Sequence, residues 1–415
     1  MKLNKYSFGI GDRFGQQGIA QLRAIKKAQE AGINITPVWN KSYREHTIIH
    51  TSPADTRKAA DHAVKLSKWT DSYFVDADHI NMSNVDQFIE ACDFFTIDIS
   101  DFIGAPVDKK ELESFIKKNQ KFTGHLSIKE IDDPFVINEE LIRQTGMRFL
   151  PAVKEAGRIY QHIAQAKGMG KFIIEISMDE VGEAQSPVEL LLILSGVADE
   201  GIPLRTMAPK FTGRFNKGVN YAGDLKIFEK EFEEELLILD YAVKEFNLPA
   251  DLKISVHSGS DKFSLYPIIG SLIRKYDKGI HIKTAGTTWL EEIIGLSMGD
   301  DVSLDLAKSI YSIALTRFDE LTRPYATVID IDKNKLPTSL EIIGWGNDKF
   351  ASSIRHNPDH PDYNPHMRQL LHVAYKVAVE YGILFTDALK ENAGIIGEQV
   401  TENLYERHIK KIFEP

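Results

Sequence analysis

One cysteine, Cys92, is all the thiol chemistry that 415 residues contain. A lone cysteine forbids an internal disulfide and fits a reducing compartment. Its neighbours Phe88-Ile89-Glu90-Ala91 make it small apolar filler rather than a nucleophile. Also missing is any apolar run near the ~20 residues of a membrane span, and the first six residues hold no apolar signal core. The formal net charge is −10 and the pI about 5.8, so no basic field draws nucleic acid or an anionic membrane. No Gly-x-Gly-x-x-Gly follows a candidate strand, and no Walker-type loop, HExxH or CxxC spacing occurs. These absences lead us to expect a cytoplasmic protein without nucleic-acid or membrane partners. Any anionic substrate would have to be held by locally placed Lys or Arg.

What is present is an alternation of short apolar runs with helical patterns. Strands are expected at 5–11, 35–39, 71–78, 94–99, 172–177, 204–208, 253–257 and 280–284. Helices are expected at 16–31, 53–69, 84–91, 152–166, 187–198, 225–246 and from 288 onward. Ser52-Pro53 and the spacing Ser186-Pro187-Val188-Glu189 read as helix starts, the second as a capping box. Asp261 reads as the cap of a helix through Phe263, Tyr266, Ile269 and Leu272. Eight strand–helix units imply a parallel sheet closed into a (β/α)8 barrel, with an open doubly wound sheet as the competing architecture. Residues 1–300 are assigned to the barrel, 107–150 to an inserted helical segment, and 301–415 to a mostly helical C-terminal extension. The extension is expected to cover the barrel mouth through Trp345 and residues 355–366.

In such a barrel the polar residues at strand C-terminal ends converge on one mouth. Here they include Asp12, Arg13, Asn40, Lys41, Asp76, Asp78, His79, Asp98, Glu175, Asp179, Glu180, Lys210, His257, His281 and Lys283. Alternation puts Ser255 with His257, His281 with Lys283, and Glu175 with Ser177 on the inward face. Charged groups there are costly unless paired or bound to metal. Three histidines at tips, His79, His257 and His281, beside several carboxylates, suggest a divalent cation, with satisfied structural histidines as the alternative. His356, His360 and His366 form a rival cluster whose Pro-rich, polar surroundings suit a solvated loop. Lys210, Arg214 and Lys217 in the loop with Gly213 and Gly218, together with Lys262 and Lys283 after the last two strands, form a basic constellation suited to a carboxylate or phosphate, with a solvated basic loop as the alternative.

Longer runs carry more information. Lys-Tyr-Ser-Phe-Gly-Ile-Gly-Asp-Arg-Phe-Gly (5–15), Phe-Val-Asp-Ala-Asp-His (74–79) and Met-Asp-Glu-Val (178–181) resemble the tagaturonate epimerase family. So do Ala-Pro-Lys-Phe-Thr-Gly-Arg-Phe-Asn-Lys-Gly (208–218), Ser-Val-His-Ser-Gly-Ser-Asp-Lys-Phe (255–263) and His-Ile-Lys-Thr-Ala-Gly-Thr-Thr-Trp-Leu (281–290). The resemblance spans nearly the whole chain. It implies a metal-dependent epimerase of hexuronate catabolism interconverting D-tagaturonate and D-fructuronate, an isomerase.

The centre to be inverted is the carbinol carbon β to the ketone, whose C–H is not acidic. Retro-aldol cleavage and re-addition therefore suit it better than simple deprotonation, and a divalent ion (Zn, Ni, Co or Mn) would serve as Lewis acid. We expect His79, His257 and His281 as metal ligands, Asp78 as base and Glu180 as proton donor. Lys210, Arg214, Lys217 and Lys283 are expected to bind the uronate carboxylate. Transient oxidation at the same carbon would need a nicotinamide, for which no fingerprint exists. A metal-dependent sugar-acid aldolase or ketose isomerase would use the same groups, and a non-catalytic uronate-binding protein is the remaining class.

Overall fold

The runs rich in Ile, Val and Phe that open each unit form eight parallel strands. They are β1 (Tyr6–Ile10), β2 (Ile35–Ser42), β3 (Phe74–Ile80), β4 (Phe94–Asp98), β5 (Ile173–Ser177), β6 (Thr206–Ala208), β7 (Lys253–Val256) and β8 (Ile280–Lys283). This computed structural model describes all residues except Lys2, Glu180, Ala285, Gly286 and Pro415, and Thr287 without its side chain. Tyr6 of β1 pairs with both Ile280 and Ile35, so β1 closes the sheet between β8 and β2. The result is a closed (β/α)8 barrel, and the open-sheet alternative falls away.

Register decides which side chains share a level. Val38 pairs with Phe74 across β2 and β3, and Phe94 with Ile173 across β4 and β5; packed with Leu3, these four plug the bottom of the lumen. Above them the inward positions are polar where barrels usually stack apolar groups: Asn40 pairs with Asp76, Thr96 with Glu175 and Glu175 with Thr206, and Ser255 with His281. Beyond these, Asp78, Asp98, Ser177, His257 and Lys283 reach the mouth. The opposite faces, with Phe8, Ile10, Ile174, Ile176, Ile254 and Ile282, join the large apolar cluster between barrel and helices.

Several elements differ from the sequence reading. Residues 84–91 form only a 3-10 turn, Val85–Gln87, because Asn84 Oδ1 accepts from Asn81 N at 3.0 Å and holds a local turn. The helix expected from 152 begins at Glu139 and runs to Lys167 through Pro151, started by Asn138, whose side chain accepts from Leu141 N. The insertion holds the helix Lys109–Asn119 and a short antiparallel ribbon, Gly124–Leu126 with Phe135–Ile137. Asp261 is not a cap. It sits at φ 62°, and the helix starts only at Tyr266. Cys92 is buried, and burial raises its thiol pKa far above the ordinary value, as apolar filler requires.

The C-terminal helices build a second apolar cluster around Trp289, Tyr311, Phe350, Leu371 and Tyr375. They reach the mouth through the helix Pro365–Val373. Arg13 Nη1 donates to His372 O at 3.1 Å, and His356 packs on Phe263 with ring centroids 4.8 Å apart. No helix of the described residues is long and apolar enough to cross a membrane.

Candidate active site and metal centre

β3, β5 and β7 each end by delivering a histidine or carboxylate side chain to the mouth. His79 lies near the end of β3 at φ 54°, a left-handed conformation that costs a β-substituted residue about 1–2 kcal/mol. His257 follows β7, and Asp179 lies two residues beyond β5, continuing the inward parity of Glu175 and Ser177. One donor atom from each of His79, Asp179 and His257 lies within 4.8 Å of the others, the one such group of His, Cys, Asp and Glu among the described residues.

The outer nitrogens of both imidazoles are fixed by carboxylates. Asp78 Oδ1 accepts from His79 Nδ1 at 2.9 Å, and Glu175 Oε1 accepts from His257 Nε2 at 2.7 Å. With those protons so placed, the lone pairs of His79 Nε2 and His257 Nδ1 face Asp179 Oδ1 at 3.5 and 3.1 Å. Acceptors at such contact repel unless a proton or a cation sits between them. His79 Nε2 has no other hydrogen-bond partner, and Ser177 Oγ donates to Asp179 Oδ1 at 2.5 Å. Two imidazoles and a carboxylate, each histidine backed by a carboxylate, form a donor set that suits Zn, Co, Ni or Mn. The residues present therefore fit a divalent cation.

Beneath this group Lys283 is a hub. Its ammonium, 3% exposed, lies 2.7 Å from Asp76, 2.7 Å from Asp78 and 2.9 Å from Glu175. It also donates to Thr96 Oγ1 at 2.6 Å. Burial opposes charge on all of them. The ammonium nevertheless holds Asp78 and Glu175 well below the usual carboxylate range, while Asp76, crowded by its two neighbours, is pushed up to about 6. Burial likewise opposes a charged His257, but Asp179 and Glu175 outweigh it and raise that group to about 9. Despite burial, the carboxylates around them raise both His79 and His257 above the ordinary imidazole range, and a dication bound between the two rings would take the place of the protons they hold.

The other sequence candidates divide. His281 is fully buried one layer below, paired in register with Ser255 rather than His257. Its Nδ1 hydrogen-bonds with Ser7 Oγ at 2.8 Å, and burial lowers its pKa to about 3, so it is neutral. Arg214 is half exposed and paired with Asp330 at 3.3 Å. Lys210 Nζ donates to Val181 O. Lys217 is partly buried, and its side chain makes no hydrogen bond or ion pair among the described residues. The next residue, Gly218, lies against the His372 ring, where an added Cβ would be 3.4 Å from Cδ2. Glu180 lies outside the described residues. In the rival cluster, His356 lies 3.5 Å from Asp261, and it falls outside the three-donor group.

A profile of the tagaturonate epimerases matches residues 1–414. The chain belongs to the tagaturonate epimerase family. It is thus an isomerase, a carbohydrate epimerase by class. The tagaturonate/fructuronate epimerase of Thermotoga maritima is 29% identical over 424 residues, covering 98% of this chain and 79% of that protein. The glycerol-complexed crystal structure of fructuronate-tagaturonate epimerase from Cohnella laeviribosi superposes with TM-score 0.82 at 21% identity, over 99% of this chain and 82% of that one. Its native crystal form gives 0.80 at 22% identity, over 98% and 81%. The crystal structures share this chain's fold.

Proposed function

We propose that the chain interconverts D-tagaturonate and D-fructuronate with the help of a divalent cation held by His79, His257 and Asp179. The observation that carries this reading is the three-donor group at the barrel mouth of a chain that the epimerase profile covers. A cation bound there supplies Lewis acidity to the ketone oxygen of the substrate. Asp78 and Glu175 orient the two histidines, and Lys283 holds both carboxylates ionised. We accordingly move Asp78 from base to orienting group and Lys283 from substrate binding to the same supporting layer.

Retro-aldol inversion needs a base for the C4 hydroxyl, a donor that returns the proton, and a grip on the fragment that turns over. Asp98 pairs in register with Ser177, which bonds Asp179, and it is partly exposed with no ion pair among the described residues. We assign it the base role. Glu180, next in the chain to Asp179, keeps the donor role. Breaking C3–C4 leaves the carboxylate on the three-carbon aldehyde, so a cation must hold that end while the aldehyde exchanges faces. Lys217 suits this best, since its neighbours Lys210 and Arg214 are already engaged.

A proton NMR time course of metal-loaded protein with D-tagaturonate, with and without EDTA, tests the reading. Fructuronate signals should grow and chelation should stop them. Growth unaffected by EDTA removes the cation from the mechanism, and a persistent aldehyde resonance instead of fructuronate makes the protein an aldolase.

A further inference from the structure

The segment after His257 is held in a conformation it would not adopt alone. Ser258 and Asp261 both have positive φ, 50° and 62°. Each costs roughly 1–2 kcal/mol and persists only where surroundings over-determine it. Beside Ser258, Gly259 N donates to Lys283 O at 3.0 Å within the barrel, whereas the surroundings of Asp261 come from the C-terminal extension. Asp261 Oδ2 accepts from Arg368 Nη2 at 2.8 Å, with both side chains fully buried. The Asp261 amide donates to His408 Nε2 at 3.1 Å, and His356 Nδ1 lies 3.5 Å from Oδ1.

Arg368 does more than pair with Asp261. Its Nε donates to Gly218 O at 2.6 Å, and its Nη1 donates to Ile354 O. Gly218 directly follows Lys217 in the loop after β6 and takes φ 74°, so the chain turns where the guanidinium grips it. One planar fork from the helix Pro365–Val373 therefore ties the loop behind His257 to the loop that carries Lys217. A lysine, with one nitrogen on a flexible stem, cannot span all three acceptors.

We propose that Arg368 is a positioning residue of the epimerase site. It fixes the His257 loop against the Lys217 loop, so that the cation-binding group and the carboxylate-binding ammonium address one substrate. What the two loops bind rests on the function proposed above; the tie between them does not.

The test uses full-length Arg368→Lys, the double variant Arg368→Met/Asp261→Asn, which buries no charge, and Arg317→Met. Arg317 lies in the same extension but pairs with Glu320 and Glu380 at the surface. Cobalt(II) titration with visible spectra, KM and kcat, and hydrogen exchange over residues 213–222 and 257–265 are read for each. Arg368→Lys should weaken Co(II) binding about ten- to hundredfold, as loss of a supporting shell does. Its spectrum should shift, KM should rise, and both loops should exchange faster. Arg317→Met should leave all four unchanged. If Arg368→Lys does not fold, the double variant carries the same readouts. Folded Arg368 variants with wild-type Co(II) affinity, KM and loop exchange would overturn the proposal. Should the wild type bind no Co(II), the metal reading fails, and KM with loop exchange still decides the tie.

Discussion

His79 and His257 differ from His281 in what their inner nitrogens meet. The first two face Asp179 Oδ1, whereas His281 Nε2 has no hydrogen-bond partner among the described residues. His257→Ala should therefore weaken divalent binding by at least about a hundredfold, more than loss of an outer partner costs, and abolish turnover. His281→Gln should keep one equivalent of metal. Elemental analysis after gel filtration separates the two, and loss of metal from the His281 variant would restore that residue to the ligand set. Asp98→Asn should lower kcat by about 10²–10⁴-fold, the usual worth of a general base, with metal content and KM unchanged. Full activity in that variant would return the base role to another carboxylate. Which strand residues point inward was legible from parity. The level each occupies was not, because Ser255 pairing with His281 is a matter of register between strands. Asp179 was within reach of sequence reasoning, since extending the Glu175–Ser177 alternation by two residues lands on it.

At the scale of elements, β1 shows how closely the barrel is built around its hub. A Cβ on Gly9 would lie 2.7 Å from Lys283 Cγ, 3.2 Å from Lys283 Cα and 3.3 Å from His281 Nε2. The backbone atom cannot move aside cheaply, so Gly9→Ala should destabilise by about 1–3 kcal/mol, as overpacking does. It should also tilt the ammonium away from Asp78 and Glu175. Calorimetry and kcat on the same preparation check this: a lower melting temperature with activity down more than about tenfold is expected, and neither change would show that the hub tolerates displacement. Elements whose start signals are local, such as the Ser186–Glu189 capping box, were readable, and the structure forms that box. The helix over 139–167 was hidden because Pro151 reads as a break, yet Pro151 sits mid-helix. Asp261 misled in the opposite direction. A cap and a buried partner for a distant arginine look alike in one sequence, since Arg368 lies 107 residues away.

Across the whole molecule, the seam between barrel and extension buries charge, and that makes stability depend on pH. Glu291 lies in the helix Thr287–Ser297, 3% exposed, and its Oε1 accepts from Asn403 Nδ2 at 2.9 Å. Burial pushes its pKa up to about 7, against the pull of Arg368, Arg407 and Arg355 and with the push of Asp261. A raised folded pKa contributes stability that is complete below the unfolded value, near 4.5, and is lost as pH climbs through the folded value. The loss between those limits is on the order of 3 kcal/mol. Asp261, held well below the carboxylate range despite burial by Arg368, works in the opposite sense: its contribution is present above the unfolded value and disappears only as pH falls through the folded one. Glu291→Gln removes the first dependence and leaves the second. Melting temperatures of wild type and variant between pH 4.5 and 8 should therefore diverge in the variant's favour as pH rises, and run parallel above about 7. Metal binding and the remaining carboxylates titrate alike in both proteins and cancel in the difference. A gap that stays constant across that range would mean Glu291 is already ionised in the fold, with the three arginines outweighing its burial.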